Sequence, residues 1–410
     1  MGFAELWAAL LPIGRDAGTG GYRRYSWTDA DADCRAWFTA AAAERGLRLD
    51  CDRDGNLWAW WDFPPDGPGG QPADAIVTGS HLDSVPDGGA YDGPLGIVSA
   101  FAGIDLLRDR GFVPRRPVAV AAFTEEEGAR FGLACLGSRL LTGALDPAAA
   151  LALRDNAGIR LPDAMAAAGL DPAAIGPDDA ALGGVGAFVE LHIEQGSALA
   201  GLGAAVGLAG GIWPHGRWRF DFTGRADHAG TTRLADRRDP MLPYAVTVLG
   251  ARQAAAGHGA LATIGKVVAE PGAANAISSA VRAWLDARAP DEAALDRVVG
   301  EVRARAQAAA AAHDVEVSVR PESFTAPVSF DAGLRGRLAA ALAATGIEAP
   351  VLPTGAGHDA GVLAGRLPTA MLFVRNPSGV SHAPAEHAEP ADCLAGVAAL
   401  AAVLADLAGR

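Results

Sequence analysis

The sequence is almost without lysine. Lys266 is the only lysine among 34 basic residues, and 48 acidic residues bring the net charge to −14. Such an acidic chain repels phosphate backbones, which argues against a nucleic-acid partner. Small anionic substrates are still possible, because a local basic pocket can hold them. The lack of lysine itself we interpret as a composition bias towards arginine.

Cysteine is also scarce, and the four cysteines form no Cys-x-x-Cys pair: they are Cys34, Cys51, Cys135 and Cys393. Their spacing suits reduced thiols in a cytosol better than a disulfide framework. The first cation, Arg15, follows the short apolar run at the N-terminus, so the pattern is not that of a secretory signal. The apolar stretch 394–404 is too short to span a bilayer. We expect a soluble, cytoplasmic protein with no membrane partner.

The chain has 410 residues, of which 50% are hydrophobic and 20% charged. This composition is globular and allows two or three domains with a large buried core. The short apolar runs 75–77 and 117–123 predict strands, and the stretch 96–109 between them predicts a helix. Alternation of apolar strands with helices predicts a mostly parallel α/β sheet covered on both faces. A Pro- and Gly-rich run, 64–70, predicts a loop between two strands.

A second pattern lies between about residues 207 and 325. Its predicted elements are strand 218–223, helix 239–255, strands 262–268 and 280–288, helix 291–312 and strand 315–319. This β-α-β-β-α-β order is that of a ferredoxin-like unit. Apolar strands return after it, at 370–374. The sequence therefore predicts a discontinuous catalytic domain, 1–206 and 326–410, with an inserted small domain, 207–325.

The strongest chemical signal follows the strand 75–77. His81 stands where ligands collect in open α/β sheets, and Asp83 falls on the same side and can hold the imidazole. Asp92 follows in a Gly-rich loop. A single histidine in this place favours a structural role, but His-x-Asp followed by Asp92 indicates a site.

Three further signals end other strands. Glu125, Glu126 and Glu127 follow the strand 117–123, where three carboxylates need a cation unless they form a solvated acidic turn. His192 lies on the polar face of a strand over 188–193, and His382 follows the strand 370–374. The candidate metal ligands are His81, Asp92, Glu127, His192 and His382. Imidazoles with carboxylates suit two Zn²⁺ or Mn²⁺ ions, which activate water and polarise a carbonyl when about 3.5–4 Å apart.

Six motifs then give a specific resemblance: GSHLDSVPDGGAYDG, EEEGARF, ELHIEQG, DHAGTTRLADRRDP, GAGHDAG and GVSHAPAE. The whole chain resembles the amidase/hydantoinase/carbamoylase branch of the dinuclear-metal aminoacylase and carboxypeptidase superfamily. The resemblance implies that one ion takes His81 and His192, that the other takes Glu127 and His382, and that Asp92 bridges them. It also implies that Glu126 is the general base.

The same resemblance implies that the inserted domain is a lid and a homodimer surface. His228 then reaches across the dimer to stabilise the oxyanion, whereas without the resemblance it is a loop histidine capping a turn. Gln195, Asn275 and Arg288 resemble the family's clamp for the substrate carboxylate. Taken alone, Arg288 would be a surface salt bridge. His358 borders the pocket in this interpretation, with no assigned role.

Departures from the family pattern lie beside the clamp, at 213–217, 232–234 and 275–279, and they leave the substrate open. A small carboxylated ureido compound is expected, with allantoate first. The alternatives are an N-carbamoyl-L-amino acid or N-carbamoyl-β-alanine, then an acyl-amino acid or dipeptide. A metal-free homologue used for binding is the alternative of another class, and the presence of Glu126 and Glu127 argues against it.

Overall fold

The computed structural model describes residues 2–61 and 74–409, so the predicted loop 64–70 lies outside the described residues. The helices are α1 Phe3–Leu10, α2 Asp29–Glu44, α3 Pro94–Asp109, α4 Leu136–Thr142, α5 Pro147–Leu151, α6 Leu161–Ala167, α7 Asp179–Gly183, α8 Ala198–Leu202, α9 Met241–Gly257, α10 Glu292–Ala312, α11 Ala332–Ala343, α12 Asp359–Leu363 and α13 Pro390–Ala408. The strands are β1 Arg48–Cys51, β2 Leu57–Trp61, β3 Ala75–His81, β4 Val118–Phe123, β5 Val185–Ile193, β6 Val206–Ile212, β7 His215–Thr223, β8 Asp227–His228, β9 Leu261–Glu270, β10 Ala276–Ile277, β11 Ala280–Arg288, β12 Glu316–Thr325, β13 Val328–Ser329, β14 Val351–Thr354 and β15 Thr369–Val374.

The chain divides into two compact units. Unit 1 comprises Met1–Gly210, Ser329–Leu352 and Gly357–Arg410, and unit 2 comprises Gly211–Val328 and Pro353–Ala356. Each unit has its own hydrophobic core.

A large mixed sheet organises unit 1. Within the described ranges its strand order is β1-β2-β4-β3-β5-β15-β6-β13, with β14 paired to β6. The central strands β4, β3, β5 and β15 are parallel, and the outer pairs β1–β2, β2–β4 and β15–β6 are antiparallel. Strands β3, β4 and β15 are buried along their whole length, as parallel strands covered on both faces must be.

Helix α13 belongs to the core of unit 1. The helix has 19 residues and, by length and composition alone, could cross a membrane. The apolar stretch 394–404 is therefore part of a longer apolar helix. However, 61% of its apolar window is buried, and Leu400 and Leu404 are fully enclosed in the cluster that also contains α3. This is the burial expected of a core helix.

Unit 2 contains a four-stranded antiparallel sheet with the order β12-β7-β11-β9. Strand β11 alternates between buried and half-buried residues, because α9 and α10 pack on one face of the sheet only. The element order β7-α9-β9-β11-α10-β12 is the predicted β-α-β-β-α-β unit. The predicted fold class, a mostly parallel α/β sheet with an inserted ferredoxin-like unit, is confirmed.

Candidate metal centre

Four strands of the large sheet end at one edge. Strand β3 runs parallel to β4 and pairs His81 with Phe123, and β15 runs parallel to β5 and pairs Val374 with Ile193. Carboxyl ends of parallel strands meet at one edge, so the segments that follow them come together. These ends and segments carry all five candidate ligands: His81, Asp92, Glu127, His192 and His382.

The first group joins His81, Asp92 and His192, whose ligand atoms all lie within 4.8 Å of one another. Asp92 Oδ1 is 3.1 Å from His192 Nε2 and 3.7 Å from His81 Nε2. The opposite ring nitrogens are held by carbonyl oxygens: Nδ1 of His81 lies 3.1 Å from Asp83 O, and Nδ1 of His192 lies 2.9 Å from Ile193 O. These contacts fix the ring orientations and turn both Nε2 atoms toward Asp92.

The second group joins Asp92, Glu127 and His382. His382 Nε2 is 3.3 Å from Asp92 Oδ2 and 3.7 Å from Glu127 Oε2. Gln195 Nε2 donates to the same Asp92 oxygen at 2.8 Å. Asp92 therefore turns one carboxylate oxygen to each group, which is the arrangement of a bridging ligand.

Several atoms of these groups lack partners. Among the described residues, Nε2 of His81, Nε2 of His192 and Oε1 of Glu127 are buried without a hydrogen bond. An unsatisfied buried polar atom costs about 1–3 kcal/mol, and more when it carries charge. Imidazole nitrogens and carboxylate oxygens are ligands that Zn²⁺ and Mn²⁺ accept. The cluster therefore fits divalent metal ions by its donor types and by its unpaired atoms.

The pKa shifts of these side chains show that several charged groups lie close together in a buried place. Burial, and then the Asp92 carboxylate, raises the pKa of Glu127 to about 7. Burial tends to lower the pKa of His81, but Glu126 and Asp83 raise it well above its ordinary value. Burial tends to raise the pKa of Asp92, but the facing imidazoles of His192, His382 and His81 hold it well below its usual range. Without metal, these side chains share protons where cations would otherwise neutralise them.

Glu126 lies beside the first group, with Oε2 at 3.6 Å from His81 Nε2. Burial raises its pKa well above the ordinary range, as suits a carboxylate that exchanges protons. Its backbone N–H and that of Glu127 both donate to the Asp83 carboxylate, at 3.2 and 3.0 Å. Asp83 thus orients the backbone of Glu126 and Glu127. Its carboxylate also lies 3.5 Å from Nδ1 of His81.

Two buried groups lie behind the site: Glu190, which is not among the predicted site residues, and His358, which is expected only to border the pocket. Glu190 and His358 form a third potential metal group with His192, and the His192 and His358 rings are 4.5 Å apart. Burial, followed by the charge of His192, lowers the pKa of His358 well below its ordinary value. Ser80 and the backbone of Ala360 donate to Glu190, so its two oxygens already have partners. Alternation along β5 places Glu190 on the same face as His192, but nothing in the sequence indicates that both are enclosed.

Unit 2 holds the other predicted residues. His228 is exposed, and its Nδ1 accepts from the backbone of Gly230 at 2.9 Å. Strands β8 and β10 bring it next to Asn275, whose carbonyl oxygen accepts from the backbone of Ala229. Arg288 lies at the end of β11. Its guanidinium binds both carboxylate oxygens of Asp286, at 2.9 and 3.4 Å, and donates to the carbonyl oxygen of Gly355 at 2.6 Å.

Comparison with known proteins decides the family. The model of peptidase family M20/M25/M40 matches residues 77–406. The chain belongs to this family. It is 36% identical to an N-carbamoyl-L-amino acid amidohydrolase of Geobacillus stearothermophilus over 97% of the chain and 96% of the relative. It is 31% identical to the allantoate amidohydrolase of Escherichia coli over 97% of the chain and 96% of the relative.

A solved structure gives the same result. An amidase of the hydantoinase/carbamoylase family from Burkholderia multivorans superposes with a TM-score of 0.86 at 30% identity, covering 100% of this chain and 98% of that chain. The resemblance to the amidase/hydantoinase/carbamoylase branch is therefore confirmed. Both of the relatives described above are amidohydrolases.

Proposed function

We propose that the protein is a dinuclear-metal amidohydrolase that cleaves the ureido or carbamoyl group of a small carboxylated substrate. The observation that carries this proposal is the pair of ligand groups that share Asp92, with Nε2 atoms on His81 and His192 that make no hydrogen bond to any described residue. His81 and His192 would hold one ion and Glu127 and His382 the other. Two divalent ions, when bound, supply the Lewis acidity that activates water and polarises a carbonyl.

The remaining chemistry belongs to side chains. Glu126 accepts a proton from the attacking water and later gives it to the leaving nitrogen, which its raised pKa favours. Arg288 presents a planar guanidinium to the substrate carboxylate, together with Asn275 and Gln195. His228 donates to the oxyanion in the active site of a second copy.

We further propose that unit 2 is the lid and that it forms a homodimer. Along α9, Leu242, Val246 and Leu249 are 47%, 42% and 64% exposed, and their spacing places them on one face. Strand β9 is an edge of the four-stranded sheet and exposes Val267 as well. An apolar helix stripe beside an open sheet edge suits a second copy of the same surface. Leu249→Asp should therefore convert a dimer to a monomer in light scattering.

The small size of the proposed substrate, the acidic net charge and the burial of α13 support a cytoplasmic enzyme. They also support the absence of a nucleic-acid or membrane partner. Identities of 31% and 36% do not separate allantoate from N-carbamoyl-L-amino acids, so both belong to the proposed substrate class.

Ammonia release tests the function. The purified protein, loaded with Mn²⁺ or with Zn²⁺, is assayed on allantoate, N-carbamoyl-L-amino acids and N-carbamoyl-β-alanine, and its metal content is measured. We expect about two equivalents of metal per chain and turnover of at least one of these compounds. Metal binding without turnover of any of them would favour an acyl-amino acid or dipeptide hydrolase. A chain that takes up no metal would be a binding homologue.

A further inference from the structure

Glu386 is a buried carboxylate that joins two distant parts of unit 1. It is 4% exposed and lies in the segment that follows β15, four residues after His382. Its Oε1 accepts from the backbone N–H of Tyr91 at 3.0 Å and from that of Asp92 at 2.9 Å. These contacts span 295 and 294 positions of sequence. One carboxylate oxygen thus connects the backbone of Asp92 to the segment that carries His382.

The second oxygen of Glu386 makes a related connection. The hydroxyl of Ser381 lies 3.1 Å from Glu386 Oε2 and 3.2 Å from Asp92 Oδ2. Ser381 is the neighbour of His382 in the sequence. Its hydroxyl therefore bridges the two carboxylates, giving its one proton to either, and Glu386 is connected to the side chain of Asp92 as well as to its backbone.

The chain leaves room for this carboxylate at Gly89. A Cβ at position 89 would lie 2.4 Å from both Cβ and Oε1 of Glu386, a separation that real Cβ atoms do not show. The loop that carries Asp92 can approach Glu386 this closely only because residue 89 is glycine.

We propose that Glu386 is a positioning residue of the metal centre, which sets Asp92 relative to His382 without itself binding an ion. The inference depends on the proposed metal centre. Asp92 belongs to both ligand groups, so a shift of its carboxylate weakens both. Residues that orient a ligand without touching the ion typically change metal affinity about 10–100-fold when they are replaced.

Zinc binding to the metal-free protein tests this role, measured by competition with a chromogenic chelator. Glu386→Ala removes every contact and should weaken zinc binding about 10–100-fold. Glu386→Gln keeps one oxygen for the two backbone N–H groups but loses the acceptor for Ser381, so its zinc affinity should fall between those of Glu386→Ala and the wild type. Thermal unfolding of each metal-free variant reports the purely structural effect.

Asp52 provides a matched control. Its carboxylate also holds loop backbone, accepting from the N–H groups of Asp54 and Asn56 at 3.0 and 2.9 Å, but its loop joins β1 to β2 and carries no predicted ligand. Asp52→Ala should lower the unfolding temperature and leave zinc affinity at the wild-type value. An equal loss of zinc binding in Asp52→Ala would assign the effect of Glu386 to general destabilisation and overturn the inference.

Wild-type zinc affinity in a folded Glu386→Ala protein would overturn it too. If this variant does not fold, Glu386→Gln decides: we expect weakened zinc binding, and wild-type affinity would reject the role. The titration uses no substrate. A wild-type protein that binds zinc but cleaves no ureido compound would end the proposed substrate class and leave this inference standing, whereas one that binds no zinc would end both.

Discussion

The polar site residues of the two units differ in whether their side-chain atoms form hydrogen bonds with neighbouring residues. In unit 1, His81 and His192 are 1% and 0% exposed, and their Nε2 atoms make no hydrogen bond among the described residues. In unit 2, His228 is exposed and accepts a hydrogen bond, and Arg288 is paired with Asp286. Unpaired buried atoms cost free energy until a ligand binds them, whereas paired exposed groups cost little. The buried atoms without a hydrogen bond thus indicate a ligand in unit 1. The roles proposed for His228 and Arg288 in unit 2 depend instead on the proposed substrate.

The largest expected effect follows replacement of Glu126 by glutamine. Glu126 belongs to neither ligand group that shares Asp92, so Glu126→Gln should still bind metal. Without a group that can accept the proton, kcat should fall about 10²–10⁴-fold. Steady-state ammonia release and metal analysis of the same preparation measure the two quantities.

Glu125→Gln is the control for that variant. Glu125 is adjacent, but its Oε1 accepts from the backbone of Arg130 and Phe131, a contact that glutamine can keep. Its kcat should stay within a few-fold of the wild type. Retained turnover in Glu126→Gln would remove Glu126 from the role of base, and an equal loss in both variants would place the effect in the turn as a whole.

The same contrast explains what could be predicted from the sequence. His81, Glu127, His192 and His382 each follow or end an apolar strand, and parallel strand ends meet at one edge, so local pattern was enough to group them. The apolar stretch 394–404 predicts a shorter segment than helix α13, because the helix also includes the more polar turn 390–393.

Contacts between distant segments could not be predicted in this way. Nothing near Glu386 in the sequence indicates that its carboxylate meets the N–H of Asp92, since only the folded sheet brings their loops together. Likewise, the short spacing of Asp286 and Arg288 on one strand face permits an ion pair, but the contact with Gly355 depends on a loop 67 residues away. Tertiary contacts of this kind carry no periodic signal.

A smaller effect is expected from Arg288→Ala, which tests unit 2. A guanidinium that binds a carboxylate contributes about 1.5–3 kcal/mol, so KM for carboxylated ureido substrates should rise about 10–100-fold with a modest change in kcat. Arg282→Ala is the control, because Arg282 shares the half-buried face of β11 and pairs with Glu270. Unchanged KM in Arg288→Ala would return Arg288 to a structural ion pair.

The smallest effect concerns pH and returns to unit 1. In the metal-free protein the hydrogen bond with Asp92 raises the pKa of His382 to about 9, and burial raises that of Glu127 to about 7. Both folded values exceed the ordinary ones, 6.5 and 4.5, so the stability they contribute is complete below those values and is lost as pH rises through 7 and 9. Metal binding needs both groups deprotonated.

The rise in unfolding temperature that zinc produces should therefore grow between pH 6 and pH 8.5, as protons compete less for His382 and Glu127 while the metal-free protein becomes less stable. Calorimetry with and without zinc at several pH values measures this difference. His258→Ala should keep the same profile, because His258 pairs with Glu301 in unit 2 and belongs to neither ligand group. A zinc effect that stays constant or shrinks with rising pH would show that His382 and Glu127 do not exchange protons for metal. The difference between the polar residues of the two units would then have no electrostatic basis.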